Sequence, residues 1–170
     1  MKKTFIFLLI VYLMSLNTEA FAKSTMQVPE DVQASLFIRI MALHKGISNG
    51  GNVSIYVVGS HAFVRAMRKQ IGKKIGKSEL AEVISGDGLP EKKPSVIYVG
   101  DRSKAGELIR YTRKNKVLSI TGIGTLVAKG VTVGLDSENR RPKILLNLSA
   151  SVEEGVDWNH AILKVASTVK

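Results

Sequence analysis

The chain has 170 residues, no cysteine, 25 Lys and Arg against 14 Asp and Glu, and a formal charge of +11. That length suits a single core able to bury most of its apolar surface without bridges, and the lack of cysteine excludes disulfides, thiolate chemistry and Cys-ligated metals. The cationic excess suits anionic partners, but nucleic acid is not expected, because only Phe63 and Tyr111 lie near the two basic clusters to stack on bases.

In chain order, residues 1–22 read as a removable export signal. Lys2 and Lys3 give a positive start, Phe5 to Leu16 is an apolar run broken by Tyr12 and Ser15, and Ala20-Phe21-Ala22 offers a small-x-small cleavage site. The run is short of the roughly 20 apolar residues that span a bilayer. Residues 23–170 are therefore expected to act in the periplasm as a single domain. Export removes ATP and NAD(P)H from the expected reagents.

Pro29 and Glu30 open a helical pattern in which Val32, Leu36, Phe37, Ile40, Met41 and Leu43 recur at spacings of three and four. Gly46 and Ser48-Asn49-Gly50-Gly51 stop it. Val53 to Val58 is an apolar run ending at Gly59-Ser60, the pattern of a buried strand turning into a helix. That helix would bury Phe63, Val64, Met67 and Ile71 and expose Arg65, Arg68 and Lys69. The unit recurs where Ser95 to Val99 meets Gly100-Asp101-Arg102-Ser103 and a helix with Ala105, Leu108, Ile109 and Thr112 inward. Two such units predict parallel strands. Leu80 to Ile84 and Val117 to Ile120 read as further strands. Val131 to Leu135 and Lys143 to Leu148 read as a hairpin around Asp136 to Asn139. Trp158, Ala161, Ile162, Val165, Ala166 and Val169 form one stripe at helical spacing, which predicts a closing amphipathic helix.

The basic residues are clustered. Arg65, Arg68, Lys69, Lys73, Lys74 and Lys77 occur with no acid among them, and Arg102, Lys104, Arg110, Arg113, Lys114 and Lys116 are interrupted only by Glu107. Three loops follow predicted strands: Gly59-Ser60-His61, Gly100 to Ser103, and Thr121-Gly122-Ile123-Gly124. Parallel strands would bring them to one rim, where ligands of open α/β sheets bind. Ser60, His61, Asp101, Arg102, Ser103 and Thr121 are the candidate ligand residues there, although Ser60 and Ser103 also suit ordinary helix caps. No two of His44, His61 and His160 have metal-ligand spacing, and no metal or cofactor is expected. His44 and His160 are expected to face solvent. Asn147 must be hydrogen-bonded to be tolerated in an apolar strand, and its expected role is to tie that strand to the turn near Ser149. Glu153 and Glu154, being adjacent, cannot form an acid and base pair on a helix.

Lys129-Gly130-Val131-Thr132-Val133-Gly134-Leu135, the run Arg141 to Leu148 with its Leu146-Asn147-Leu148 triplet, Gly155-Val156-Asp157-Trp158 and Ile162 to Ala166 resemble the closing motif of the YfiR-like family. Val32 to Leu36 resembles its opening helix, so the likeness runs from Pro29 to Lys170. The resemblance implies an exported α/β regulator that silences a membrane-bound diguanylate cyclase by binding its periplasmic sensor domain. Characterised members often carry cysteine pairs; here a thiol switch is excluded.

The fold expected is a single α/β domain with a central mixed β-sheet of five or six strands flanked by helices, a C-terminal β-hairpin and an amphipathic helix. The function expected is a non-catalytic, exported regulator docking on a membrane signalling protein through Arg65, Arg68 and Lys69. The alternatives are a periplasmic binder of a small anionic solute at the rim and a general polyanion binder. A homodimer is compatible with the sequence.

Overall fold

The structure is a computed structural model and describes residues 27–169; the export signal expected over residues 1–22 lies outside them. Five helices are labelled α1 (Glu30–Met41), α2 (His61–Arg68), α3 (Ala105–Asn115), α4 (Leu148–Glu153) and α5 (Ile162–Val165). Eight strands are labelled β1 (Gly51–Val58), β2 (Lys74–Ile75), β3 (Ser78–Gly86), β4 (Val96–Val99), β5 (Leu118–Thr121), β6 (Val133–Glu138), β7 (Arg141–Asn147) and β8 (Ala166–Val169). They form one mixed sheet in the order β2-β3-β1-β4-β5-β6-β7-β8. This is the expected α/β architecture, with more strands than the five or six expected.

The central strands explain why their runs are continuously apolar. Ile55 and Val57 of β1 enter a core under α1 and α2. Tyr56 and Val58, pointing the other way, enter a second core under α3. Alternate side chains of one strand are thus buried on opposite faces, which polar residues could not satisfy. On the α1 and α2 face, Phe63 stacks on Tyr98 with centroids 3.7 Å apart, and Phe37 meets both rings edge-on. Gln33 closes this cluster: its Nε2 donates to Val28 O at 2.6 Å, and its Oε1 accepts from the Tyr98 hydroxyl at 3.0 Å.

The inner faces of α2 and α3 hold Phe63, Val64 and Met67, and Ala105, Leu108, Ile109 and Thr112, as their spacing predicts. Two expectations shift. The inner face of α1 is Gln33, Ala34, Phe37, Ile40 and Met41, with Val32 40% exposed, because the buried Gln33 amide replaces an apolar contact. Helix α2 ends at Arg68, so Ile71 falls in the following turn, 49% exposed.

The C-terminal quarter departs most from the sequence reading. The hairpin β6–β7 forms, antiparallel from Val133–Leu146 to Glu138–Arg141. The closing helix does not. Its stripe divides into the single turn α5 and the strand β8, which runs parallel to β7 from Ile144–Ala166 to Asn147–Val169. The β-branched residues Thr168 and Val169 favour this extended form, and β7 offers a backbone edge that a helix would leave unpaired. Trp158 is half-buried and bridges to His44 rather than joining a helix.

Candidate functional site

Strands β3, β1, β4, β5 and β6 run parallel, so the loops after Gly86, Val58, Val99, Thr121 and Glu138 share one rim. Glycine permits their close approach. A Cβ on Gly59, where φ is +77°, would lie 2.5 Å from Asp101 Cβ, so the loops after β1 and β4 touch only because that atom is absent. Lys104 Nζ donates to Asp87 O, and the Arg102 guanidinium donates to Thr125 Oγ1 at 2.7 Å. Polar bonds therefore join the loops after β3, β4 and β5.

The hydroxyls of the candidate ligand residues are engaged within the protein. Ser60 Oγ accepts from Phe63 N at 3.2 Å and caps α2. Ser103 Oγ donates to Asp101 Oδ1 at 2.7 Å, and the same oxygen accepts from Ser103 N. These bonds, the Ser103 hydroxyl first, hold the Asp101 carboxyl below its ordinary range, so the rim carries a negative charge at neutral pH. Thr121 is buried; its hydroxyl donates to Val99 O and accepts from Ile123 N. His61 is exposed at the start of α2. Arg102 is exposed beside a hollow of about 130 Å³ whose walls include Gln27, Gly122, Thr125 and Asp136.

A second surface surrounds α2. Arg65, Arg68 and Lys69 are exposed on its outer side, and Lys73, Lys74 and Lys77 follow in the turn and hairpin. Lys69 pairs with Asp31 at 3.0 Å and Lys74 with Glu79 at 2.8 Å. Among the described residues, Arg65, Arg68, Lys73 and Lys77 have no ion-pair partner. Exposed pairs of this kind contribute about 0–1 kcal/mol, so Lys69 and Lys74 can exchange partners at little cost. The surface can hold an acidic molecule by charge.

The buried polar groups are structural. Asn147 Oδ1 accepts from Ala150 N at 2.9 Å and caps α4, while its Nδ2 donates to Val127 O. This is the tie expected between strand and turn. The sequence names Glu154 only as an acid unable to pair with Glu153 and gives no expectation of its burial. Glu154 is 1% exposed, and its carboxylate accepts from Thr112 Oγ1 at 2.6 Å, Thr132 Oγ1 at 2.6 Å and Ser119 N at 2.8 Å. Burial raises its pKa against the opposing effect of those bonds. Thr112 and Thr132 at otherwise apolar positions were the available signal. His44, expected in solvent, is half-buried with its ring 5.5 Å from that of Trp158; its Nδ1 accepts from Gly46 N at 3.0 Å. His160 is exposed. Among the described residues no group of three metal-grade side chains comes together, and no helix is long and apolar enough to cross a membrane.

The profile of the YfiR/HmsC-like family matches residues 30–167. That family is periplasmic, non-catalytic and associated with membrane signalling proteins. A conserved domain protein from Vibrio cholerae O1 biovar El Tor has a similar solved structure, with TM-score 0.59 and 15% identity. The match covers 84% of this chain and 60% of that one, and it concerns the fold alone. No curated protein matches the chain.

Proposed function

We propose, from the premise that the chain belongs to the YfiR/HmsC-like family, that it silences a membrane signalling protein such as a diguanylate cyclase by docking on its periplasmic domain. The observation that carries the docking site is the cationic surface of α2. Arg65, Arg68 and Lys69 project from a helix whose other side is fixed by Phe63, Val64 and Met67 in the core. The charges thus sit on a rigid element and attract an acidic surface during encounter. Replacing Arg65, Arg68 and Lys69 together by Glu is expected to abolish capture of the partner from detergent-solubilised membranes with the fold intact by circular dichroism. Unchanged capture would remove α2 from the interface.

A small anion at the rim is the second reading, supported by the exposed Arg102 beside its hollow. Ser60 and His61 would complete that site, whereas the Ser103 and Thr121 hydroxyls are already donated within the protein, to Asp101 and to Val99 O. Asp101 and Asp136 oppose it by charge. A ligand that binds only the folded state raises stability as RT ln(1 + [L]/Kd), so a melting-temperature screen of phosphate, sulfate and carboxylates tests it. A shift that disappears in Arg102→Ala supports the rim; no shift in any anion ends this reading.

A further inference from the structure

The two edges of the sheet are unequally protected. At one end β2 is two residues long and lies between Lys73 and Lys77, with Lys74 in the strand itself. Short length and lysines are the usual means of discouraging another strand from adding to an edge. At the other end β8 reads Ala166-Ser167-Thr168-Val169, uncharged and rich in β-branched residues. It pairs with β7 on one side, and no strand among the described residues pairs with the other. Neither proline nor charge interrupts it.

A groove of about 600 Å³ lies where the β7–β8 ladder begins, lined by residues that include Glu138, Arg141, Lys143, Ile144, Val165 and Ser167. Val165 is 55% exposed and Leu163, just before it, 51%. The charge of the surroundings is positive. Lys143 is paired with Glu138 at 3.0 Å, whereas Arg140, Arg141 and Lys164 have no ion-pair partner among the described residues. An unpaired backbone edge supplies affinity to an extended chain, and neighbouring pockets supply selectivity. A second copy pairing through its own β8 would bring an uncharged strand to these cations and leave them without counter-charge. An acidic chain would neutralise them.

We propose that β8 receives an extended acidic segment of a partner protein as a ninth strand, with Arg141 and Lys164 facing its carboxylates. This rests on reading the chain as a docking regulator and assigns it a second contact, at the opposite end of the sheet from β2. Together the two contacts would act as linked modules, in which binding at one raises the effective concentration at the other.

The test uses the whole protein and defined probes: a fluorescent peptide of alternating Val and Glu, its Val and Lys counterpart, and an acidic version interrupted by prolines. Successive N–H groups of a strand point to opposite sides, so of Ser167→Pro and Thr168→Pro one removes a bond to β7 and the other only the free donor. The variant that retains the wild-type melting temperature is the informative one. The expected results are binding of the Val and Glu peptide, at least about tenfold weaker binding of the other two, and a similar loss in that variant. Amide exchange over residues 166–169 should slow when the peptide is bound. Equal binding of the proline-interrupted peptide, or undiminished binding by the informative variant, would overturn the proposal. So would sedimentation showing a dimer that the same variant dissociates, because a second copy would then occupy the edge. Failure with peptides, while the α2 charge reversal still abolishes membrane capture, would refute the edge contact and leave the docking reading standing.

Discussion

The two ends of the domain bury polar groups in different ways. Under α1 and α2 the polar pair is neutral, Gln33 with Tyr98, and sits among Phe37 and Phe63. Toward α4 the buried group is the Glu154 carboxyl, held by Thr112, Ser119 and Thr132. The first end has full-length helices whose apolar faces supply the stability. The second has helices of six and four residues, too short to be held by their own apolar faces. There polar side chains fix the backbone: Asn147 caps α4, Ser151 Oγ donates to Asn147 O, and Trp158 Nε1 donates to Ser151 Oγ. The aromatic end depends on volume and the C-terminal end on geometry.

The largest effect is expected at the aromatic end. Phe63 is 0% exposed and touches both other rings of the cluster, so Phe63→Ala should lower unfolding stability by about 3–5 kcal/mol through lost burial and the cavity left behind. Chemical denaturation measures it. A loss under about 1 kcal/mol would mean that the cluster collapses around the gap and that volume does not govern this end.

Glu154 tests the other half of the comparison. In Glu154→Leu the Ser119 N–H loses its acceptor, while Thr112 can still donate to Ile109 O; the expected loss is roughly 1–3 kcal/mol. Glu154→Gln keeps an acceptor for Ser119 N and should fold with a smaller loss. The two residues also differ in pH dependence. Burial raises the folded-state pKa of Glu154, so folding takes up a proton. That contribution is greatest below the unfolded carboxyl range and is lost as pH rises through the folded value. Relative to wild type, Glu154→Gln should therefore become more stable as pH rises above the unfolded carboxyl range. A difference that stays flat would show that the carboxylate is as comfortable inside as in water.

The contrast also explains what the sequence revealed. The apolar runs that end in Gly59-Ser60 and Gly100-Asp101 are readable because a strand buried on both faces has few alternatives, and because Gly59 is required where the Asp101 loop crosses it. The rim follows from those two units, but not the internal use of the Ser60, Ser103 and Thr121 hydroxyls, which depends on angstrom-scale placement. The stripe from Trp158 to Val169 has helical spacing, yet the vacant edge of β7 decides its conformation, and that edge exists only once the hairpin has formed. Glu154 next to Glu153 resembles a solvated acidic pair. Only the third dimension brings Thr112 and Thr132, on either side of β5 in sequence, to its carboxylate.

The smallest effect is the one easiest to read, because the chain has a single tryptophan. Trp158 lies against His44, whose Nδ1 is occupied as an acceptor from the Gly46 and Ile47 N–H groups. Protonation of Nδ1 would break those bonds, and burial lowers the His44 pKa, with Asp157 acting in the opposite direction. The imidazole is therefore neutral over more of the pH range in the folded chain than in the unfolded one. Its contribution to stability is fully present above the unfolded value of 6.5 and is lost as pH falls toward the folded value. Since a protonated imidazole quenches a neighbouring indole, Trp158 emission should fall along a titration whose midpoint lies below 6.5. His44→Asn keeps an acceptor for the Gly46 and Ile47 N–H groups and should give a flat titration. A midpoint above 6.5 would mean that Asp157, which pairs with Lys45 at 2.9 Å, outweighs burial, and that this end of the domain is governed by charge.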